Sequence, residues 1–311
     1  MAVNVNNTNY AGEALQQMLV TASTGNELVS RGLIKVVPDI ATTYSLPRIK
    51  TGKMLRKKVE QPDDSHSQGN FDYSERKLEP KEFMAFTTFN PRAFEKVWRP
   101  FQPTGELVFR SLPPHIQAQL LSELAKTVDF ELGGHVINGE YADGDDMKLF
   151  DGILTKIVAD DDVIALADAV ALTQDNIIAK MTAVHKRIPK AIRNHPNLRI
   201  MMSTTDWDKY DDALTARDSK GANYTSTNEK KFKNIKIEDL SDWPENVIVV
   251  TVTGTGMDTN LWMGVSSSSD YEAVKVDRLT NAGERYFFKM LMKADTEIAF
   301  GEQCVLYDGR A

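Results

Sequence analysis

The residues between 42 and about 97 restrict this chain more than any other stretch, because they form a long extended excursion with little to bury it. Tyr44-Ser-Leu-Pro-Arg-Ile runs into Lys50, Lys53, Arg56, Lys57 and Lys58, a basic stretch with no acid before Glu60. Pro62, Asp63, Asp64, Ser65, Gly69 and Asn70 then gather the residue types that reverse a chain. Beyond them Phe71-Asp-Tyr-Ser-Glu-Arg-Lys-Leu and Phe83-Met-Ala-Phe-Thr-Thr-Phe read as returning strands, the second too apolar to be fully exposed. A two-stranded ribbon of this length is marginal in water on its own. It needs a surface to lie against, and the rest of the sequence offers no obvious one. The basic run is either a solubilising strand face or a clamp on an acidic surface, and its projecting position favours a protein partner.

Residues 1–41 pose a similar problem. They are short of charge and rich in Asn, Thr and Ala, with a brief helical signal near 12–20 that puts Leu15, Met18 and Leu19 on one face. Such a segment is either a frayed terminus or an arm that gains order on another body. It lacks the basic and apolar regions of a signal peptide.

A well-patterned body follows. Pro113 and Pro114 suit a first helical turn, and Ser111 is a plausible N-cap. Ile116, Leu120, Leu124 and Val128 recur every fourth residue, and Leu121 and Leu132 widen the stripe. Gly133-Gly134 predicts the stop. Turns are expected at Asn138-Gly139 and Asp143-Gly144, and a second helix over residues 173–188. Leu198-Arg-Ile-Met-Met-Ser reads as a short buried strand running into a helix capped by Thr204 or Thr205 and carrying Trp207, Tyr210 and Leu214. Residues 217–231 read as a loop. Val247-Ile-Val-Val-Thr-Val is a continuous β-branched run, the mark of a central strand, with Leu261-Trp-Met-Gly-Val as its expected partner. Residues 271–276, 284–293 and 297–307 are expected to be strands of one sheet. The fold class is α+β or mixed α/β with interrupted domains.

A search for chemistry finds none. Gly254-Thr-Gly256 follows a strand but lacks the rest of a dinucleotide or phosphate loop, and reads as a hairpin turn. His66, His115, His135, His185 and His195 have no metal-ligand spacing. The acidic runs at 143–146 and 160–162 lack the closing Glu and alternation of a calcium loop, and read as solvated turns. Cys304 is the only cysteine, so no intramolecular disulfide forms, as suits a reducing compartment. It reads as part of an apolar strand with no nearby His to make it a nucleophile. No enzyme activity, cofactor or metal is expected. With a net charge of -7 the chain is no general polyanion binder, and any enclosed nucleic acid would be held by containment and local patches. No apolar run approaches the length that spans a bilayer.

The order of these elements resembles the major capsid proteins of tailed bacteriophages with the Hong Kong 97 fold. Tyr73-Ser-Glu-Arg-Lys-Leu-Glu-Pro-Lys-Glu-Phe-Met-Ala-Phe-Thr-Thr-Phe resembles that family's return strand, leading into a turn and short helix at 91–97. Leu112-Pro-Pro-His-Ile-Gln through Phe130-Glu-Leu-Gly-Gly-His-Val-Ile-Asn-Gly is similar to its spine helix and closing turn. Phe150-Asp-Gly-Ile-Leu resembles the strand that follows. Arg199-Ile-Met-Met-Ser-Thr-Thr-Asp-Trp-Asp-Lys-Tyr resembles the axial-domain strand and helix. Val274-Lys-Val-Asp-Arg and Arg285-Tyr-Phe-Phe-Lys-Met-Leu-Met-Lys-Ala-Asp-Thr-Glu-Ile-Ala resemble the final peripheral strands.

The resemblance implies an N-terminal arm (1–41), an extended loop (42–90), a peripheral domain (91–165 and 271–311) built on the spine helix, and an axial domain (166–270). It implies pentamers and hexamers in an icosahedral shell that encloses double-stranded DNA without sequence-specific binding. The subunit would be made in a host bacterial cytoplasm, reside in the virion capsid and not in a membrane, and meet separate scaffolding, portal and decoration proteins. Lys50, Lys53, Arg56, Lys57, Lys58, Phe71 and Tyr73 are the expected inter-subunit residues of the loop. Unlike the best-known members, the chain shows no long helical extension at its N-terminus, so a separate scaffold or none is expected. Some relatives crosslink Lys to Asn; Lys53, Lys57 and Lys58 stand in the right stretch, but no partner Asn or catalytic Glu is identified. Two rival readings are an encapsulin-like compartment, which shares the fold and holds enzyme cargo, and an α/β enzyme of unknown substrate. The polar, extended arm favours the phage reading over the first, and a soluble monomer with a deep polar pocket would mark the second.

Overall fold

The computed structural model describes residues 8–9, 26–40, 42–67, 69, 71–90, 96, 99–100, 104, 114–216, 230–267, 274–279 and 285–310, with the backbone alone at 8–9, 114–121, 267 and 274. The described elements are, in order, β1 (Thr8–Asn9), α1 (Glu27–Ser30), β2 (Lys35–Val37), β3 (Tyr44–Thr51), β4 (Phe71–Leu78), β5 (Lys81–Phe89), α2 (Pro114–Asn138), α3 (Ile153–Ala159), β6 (Ile164–Ala165), α4 (Ile177–Arg187), β7 (Leu198–Ser203), α5 (Thr204–Thr215), β8 (Lys231–Phe232), β9 (Ile235–Leu240), β10 (Val247–Val252), β11 (Leu261–Ser267), β12 (Val274–Arg278), β13 (Tyr286–Ile298) and β14 (Val305–Asp308). The helical signal near 12–20, the short helix at 91–97 and the Ser111 cap lie outside the described residues, as do 217–229 of the expected loop.

Two sheets share one core. In the first, β13 is the long central strand: β12 and then β11 pair along one edge of it, and β5 pairs along the other. In the second, the order is β6-β14-β10-β7-β9-β8. Every residue of β10 is buried, because both of its faces are covered. Val247 and Val249 point into a core shared with α2, α3, β11 and β13. Ile248, Val250 and Val252 point into a second core under α4 and α5. That two-sided burial is why the run shows no alternation.

The chain crosses between sheets where sequence proximity suggested pairing. β10 pairs with β7 and β14, whereas β11 joins the first sheet beside β13 and β2. Gly254-Thr-Gly256 therefore links two sheets and is no hairpin turn; Gly254 adopts φ 149°, a region open mainly to glycine. The 284–307 region divides likewise. One strand runs to Ile298, a 3-10 turn at Gly301–Gln303 redirects the chain, and β14 enters the second sheet. Cys304 sits at the end of that turn, just before β14, where burial pushes its thiol up to about 11.

Several element ends differ from expectation. α2 passes through Gly133-Gly134 and stops at Asn138. A Cβ on Gly133 would lie 3.2 Å from Asp242 Oδ2, so that side chain would have to shift by a few tenths of an ångström. The true stop is Gly139, whose N–H donates to His135 O and whose oxygen accepts the N–H of Gly152 at 2.9 Å. A Cβ on Gly152 would fall 2.6 Å from Gly139 N and 2.7 Å from His135 O, both backbone atoms. Gly152→Ala should therefore cost about 2 kcal/mol or more, read as a lower urea midpoint with unchanged slope. Gly152 caps a helix, α3, in place of the expected strand: Ile153, Leu154 and Ile157 fall on one face and are all buried. The second helix begins at Ile177. Ser203, one residue before the expected caps, accepts the N–H of Asp206 at 3.0 Å.

Candidate assembly surfaces

The excursion divides into a fixed root and a free tip. β3 and β4 pair along their full length, from Tyr44 opposite Leu78 to Thr51 opposite Phe71. β5 leaves this ribbon and pairs with β13 over nine residues, so the second returning strand belongs to the body. Because side chains alternate faces along a strand, Leu46, Arg48, Arg76 and Leu78 share one side of the ribbon. Leu46 and Leu78 are buried with Ile40, Trp262 and Ala299.

The root thus does find a surface on its own chain, and part of that surface is the acidic run expected to be solvated. Arg76 bridges Asp160 and Glu297, the latter at 3.2 Å, and all three side chains are largely buried. Arg48 packs over the Phe300 ring and lies 3.8 Å from Asp162. Lys50 pairs with Glu302 at 2.7 Å. Asp295 completes the root: its Oδ2 accepts the N–H of Glu79, in the link between β4 and β5, at 2.8 Å.

Burial raises the Asp295 carboxyl to about 6. A carboxyl whose pKa is higher folded than unfolded favours the protonated native state. Its contribution is most favourable below about pH 4 and is lost as pH rises to about 6. Asp295→Asn removes the charge and keeps an oxygen for the Glu79 N–H, but its amide nitrogen cannot accept the Thr296 N–H that Oδ1 accepts at 2.9 Å. Relative to the wild type it should gain about 2 to 3 kcal/mol between pH 4 and pH 7.5, offset at both by about 1 kcal/mol for the lost bond. Urea unfolding at both pH values checks this, and an equal change at each would contradict it.

The opposite side of the ribbon faces outward. Ile49 lies across from Tyr73, and Phe71 is next along the same face. They are 64%, 67% and 73% exposed, an apolar strip that no described residue covers. Beyond Thr51 the tip is exposed, and Leu55 is 97% so. Hydrogen bonds among the described tip residues stay within it: Arg56 donates to His66 O at 2.7 Å, and Ser65 to Asp63. Lys53, Lys57 and Lys58 are exposed. Of the seven expected contact residues, Lys50 alone is engaged by the body, and the other six lie on the outer strip or the tip.

Among the described residues no cluster of His, Cys, Asp or Glu could hold a metal, and no helix is long and apolar enough to cross a membrane. No protein-family model matches the chain. No curated protein matches it either. Solved structures do. A chain of the satellite phage P4 procapsid that includes the size determination (Sid) protein superposes with a TM-score of 0.60 at 12% identity, covering 95% of this chain and 99% of that one. The capsid of an empty GTA particle gives 0.59 at 14% identity, over 91% and 96%. The holo-SrpI encapsulin complex of Synechococcus elongatus PCC 7942 gives 0.53 at 12% identity, over 99% and 92%. The α+β architecture, with its two sheets, long helix and projecting ribbon, is the fold of phage capsid and encapsulin shell proteins.

Proposed function

We propose that this chain is the repeating subunit of a closed phage capsid, assembled from pentamers and hexamers around double-stranded DNA. The observation that carries the reading is the ribbon: its root is locked to the body by buried ion pairs, while an apolar strip and the described residues of the tip beyond Thr51 face solvent. Evenly unsupported surface of this kind is costly on a monomer and useful on a subunit that lies against copies of itself. In this reading residues 42–78 form the extended loop, while 81–89 belong to the body. Residues 26–40 of the expected arm belong to the body as well, since Leu28, Leu33 and Ile34 lie in its core and β2 pairs with β11. Residues 91–165 and 271–300 form the peripheral part, and 166–270 with β14 the axial part. Ile49, Phe71 and Tyr73 pack on the neighbour, and Lys53, Arg56, Lys57 and Lys58 meet its acidic residues.

The encapsulin likeness supports a second reading, a compartment that holds protein. Particles purified from cells producing the phage separate the two. Nuclease-resistant DNA of defined length inside the shell is the expected result; a shell filled with a folded enzyme and free of DNA would establish the compartment instead.

A further inference from the structure

The chain carries 44 acidic and 37 basic side chains, yet the thirty residues from Asn176 to Thr205 contain no acid and six Lys or Arg. These are Lys180, Lys186, Arg187, Lys190, Arg193 and Arg199. Two of them are occupied elsewhere: Lys180 donates to Asp168 O, and Arg199 faces Glu238 at 3.5 Å. The other four gather at the C-terminal end of α4 and the bend after it.

The fold brings the β8–β9 turn to the same place. β7 and β9 run parallel, with Arg199 opposite Lys236, so the turn before β9 lies at the end of the sheet where α4 delivers the chain to β7. The His185 ring packs edge-on against Phe232, with centroids 6.3 Å apart. Lys233, at the turn, lies over that Phe232 ring at 5.3 Å. The His185 imidazole is held below its usual range by burial and then by the charges of Lys233 and Arg193, which places all three in one neighbourhood. Arg193 is tied down by donating to Ile188 O and Lys186 O, and so braces the bend. Lys186, Arg187, Lys190 and Lys233 are exposed and have no ion pair among the described residues.

We infer that the rim formed by Lys186, Arg187, Lys190 and Lys233 binds the phosphate backbone of nucleic acid without reading its sequence. The inference rests on the capsid reading for its occupant, the enclosed DNA, and assigns this rim to the inner face of the shell. Exposed Lys and Arg with no aromatic or aliphatic anchor among them suit phosphates better than a protein partner, whose interface cores are depleted in Lys and built on apolar groups. Neutralising four cations on a rim also removes most of the local field in a chain that elsewhere repels DNA.

The test uses unassembled subunits of the full chain, a fluorescently labelled random-sequence duplex, and anisotropy titrations at several salt concentrations. The variant carries Lys186→Gln, Arg187→Gln, Lys190→Gln and Lys233→Gln, with thermal unfolding and particle formation measured alongside. The wild type should bind in a strongly salt-dependent way. The variant should fold normally, bind at least about tenfold more weakly, and show a log K against log salt slope flatter by about 3.5. Unchanged binding by the folded variant, or no binding by the wild type, overturns the inference. If the variant also stops forming particles while DNA binding is unchanged, the rim meets an acidic surface of another copy and the capsid reading survives. If DNA binding falls as expected but the wild type never assembles, the nucleic-acid surface stands and the capsid reading fails.

Discussion

Replacing residues 52–70 by a two-residue Asn-Gly turn should leave a subunit that folds normally and no longer closes shells. Thr51 and Phe71 are already paired across the ribbon, so a type I′ turn fits directly onto the shortened end. Most of the described residues removed are exposed, and Arg56 and Ser65 hydrogen-bond within the tip, so little native stability goes with them. The unfolding midpoint should shift by no more than about 1 kcal/mol, as for surface changes that break no buried contact. Assembly should fall from closed particles to rings or free subunits. The effect is large because one tip is lost per subunit and the contact recurs by symmetry. A milder companion, Phe71→Ser with Tyr73→Ser, removes two exposed aromatics that would each bring about 1.5 to 3 kcal/mol if buried on a neighbour. It should raise the protein concentration needed for assembly many-fold. Particle yield by sedimentation reads both variants. A shortened subunit that unfolds would place the tip in its own core.

Arg76→Met should have the largest effect on the subunit itself. It strips the shared cation from Asp160 and Glu297, whose side chains are only 11% and 12% exposed, and leaves two acids facing the same space. Breaking a buried ion pair from one side costs about 3 to 5 kcal/mol, mostly as stranded charge. Lys156, 3.7 Å from Glu297, offsets part of this, so about 3 kcal/mol is expected. Adding Asp160→Asn and Glu297→Gln should return much of the loss, because the stranded charges go with them. Urea unfolding measures both, and a loss below about 1 kcal/mol for Arg76→Met would show that the root is held by Leu46, Leu78 and its other contacts without this ion pair.

The ribbon was legible in the sequence because its signals are local: a basic run, a cluster of turn formers, then alternating strands. Its latch was not. Arg76 and Asp160 are 84 residues apart, and nothing in the run Asp160-Asp-Asp162 distinguishes solvated acids from partners of a distant strand. The strand content of the body was also legible, but its pairing was not. β10 and β11 are neighbours in sequence, yet each is apolar enough to sit in either sheet, and only the shared core decides. Gly133 misled as a stop because a glycine inside a helix and a capping glycine look alike in sequence. The basic rim escaped notice for a similar reason. Its cations are interleaved with Ile188, Ile192 and Leu198, all buried, so the stretch reads first as core and only the fold turns the charges to one side.

Negative-stain electron microscopy of the purified chain, at the concentrations and with the scaffold such shells need, tests the central claim most directly. Closed particles of uniform diameter, or pentameric and hexameric rings, are the predicted result. A monodisperse monomer under every one of those conditions would contradict it.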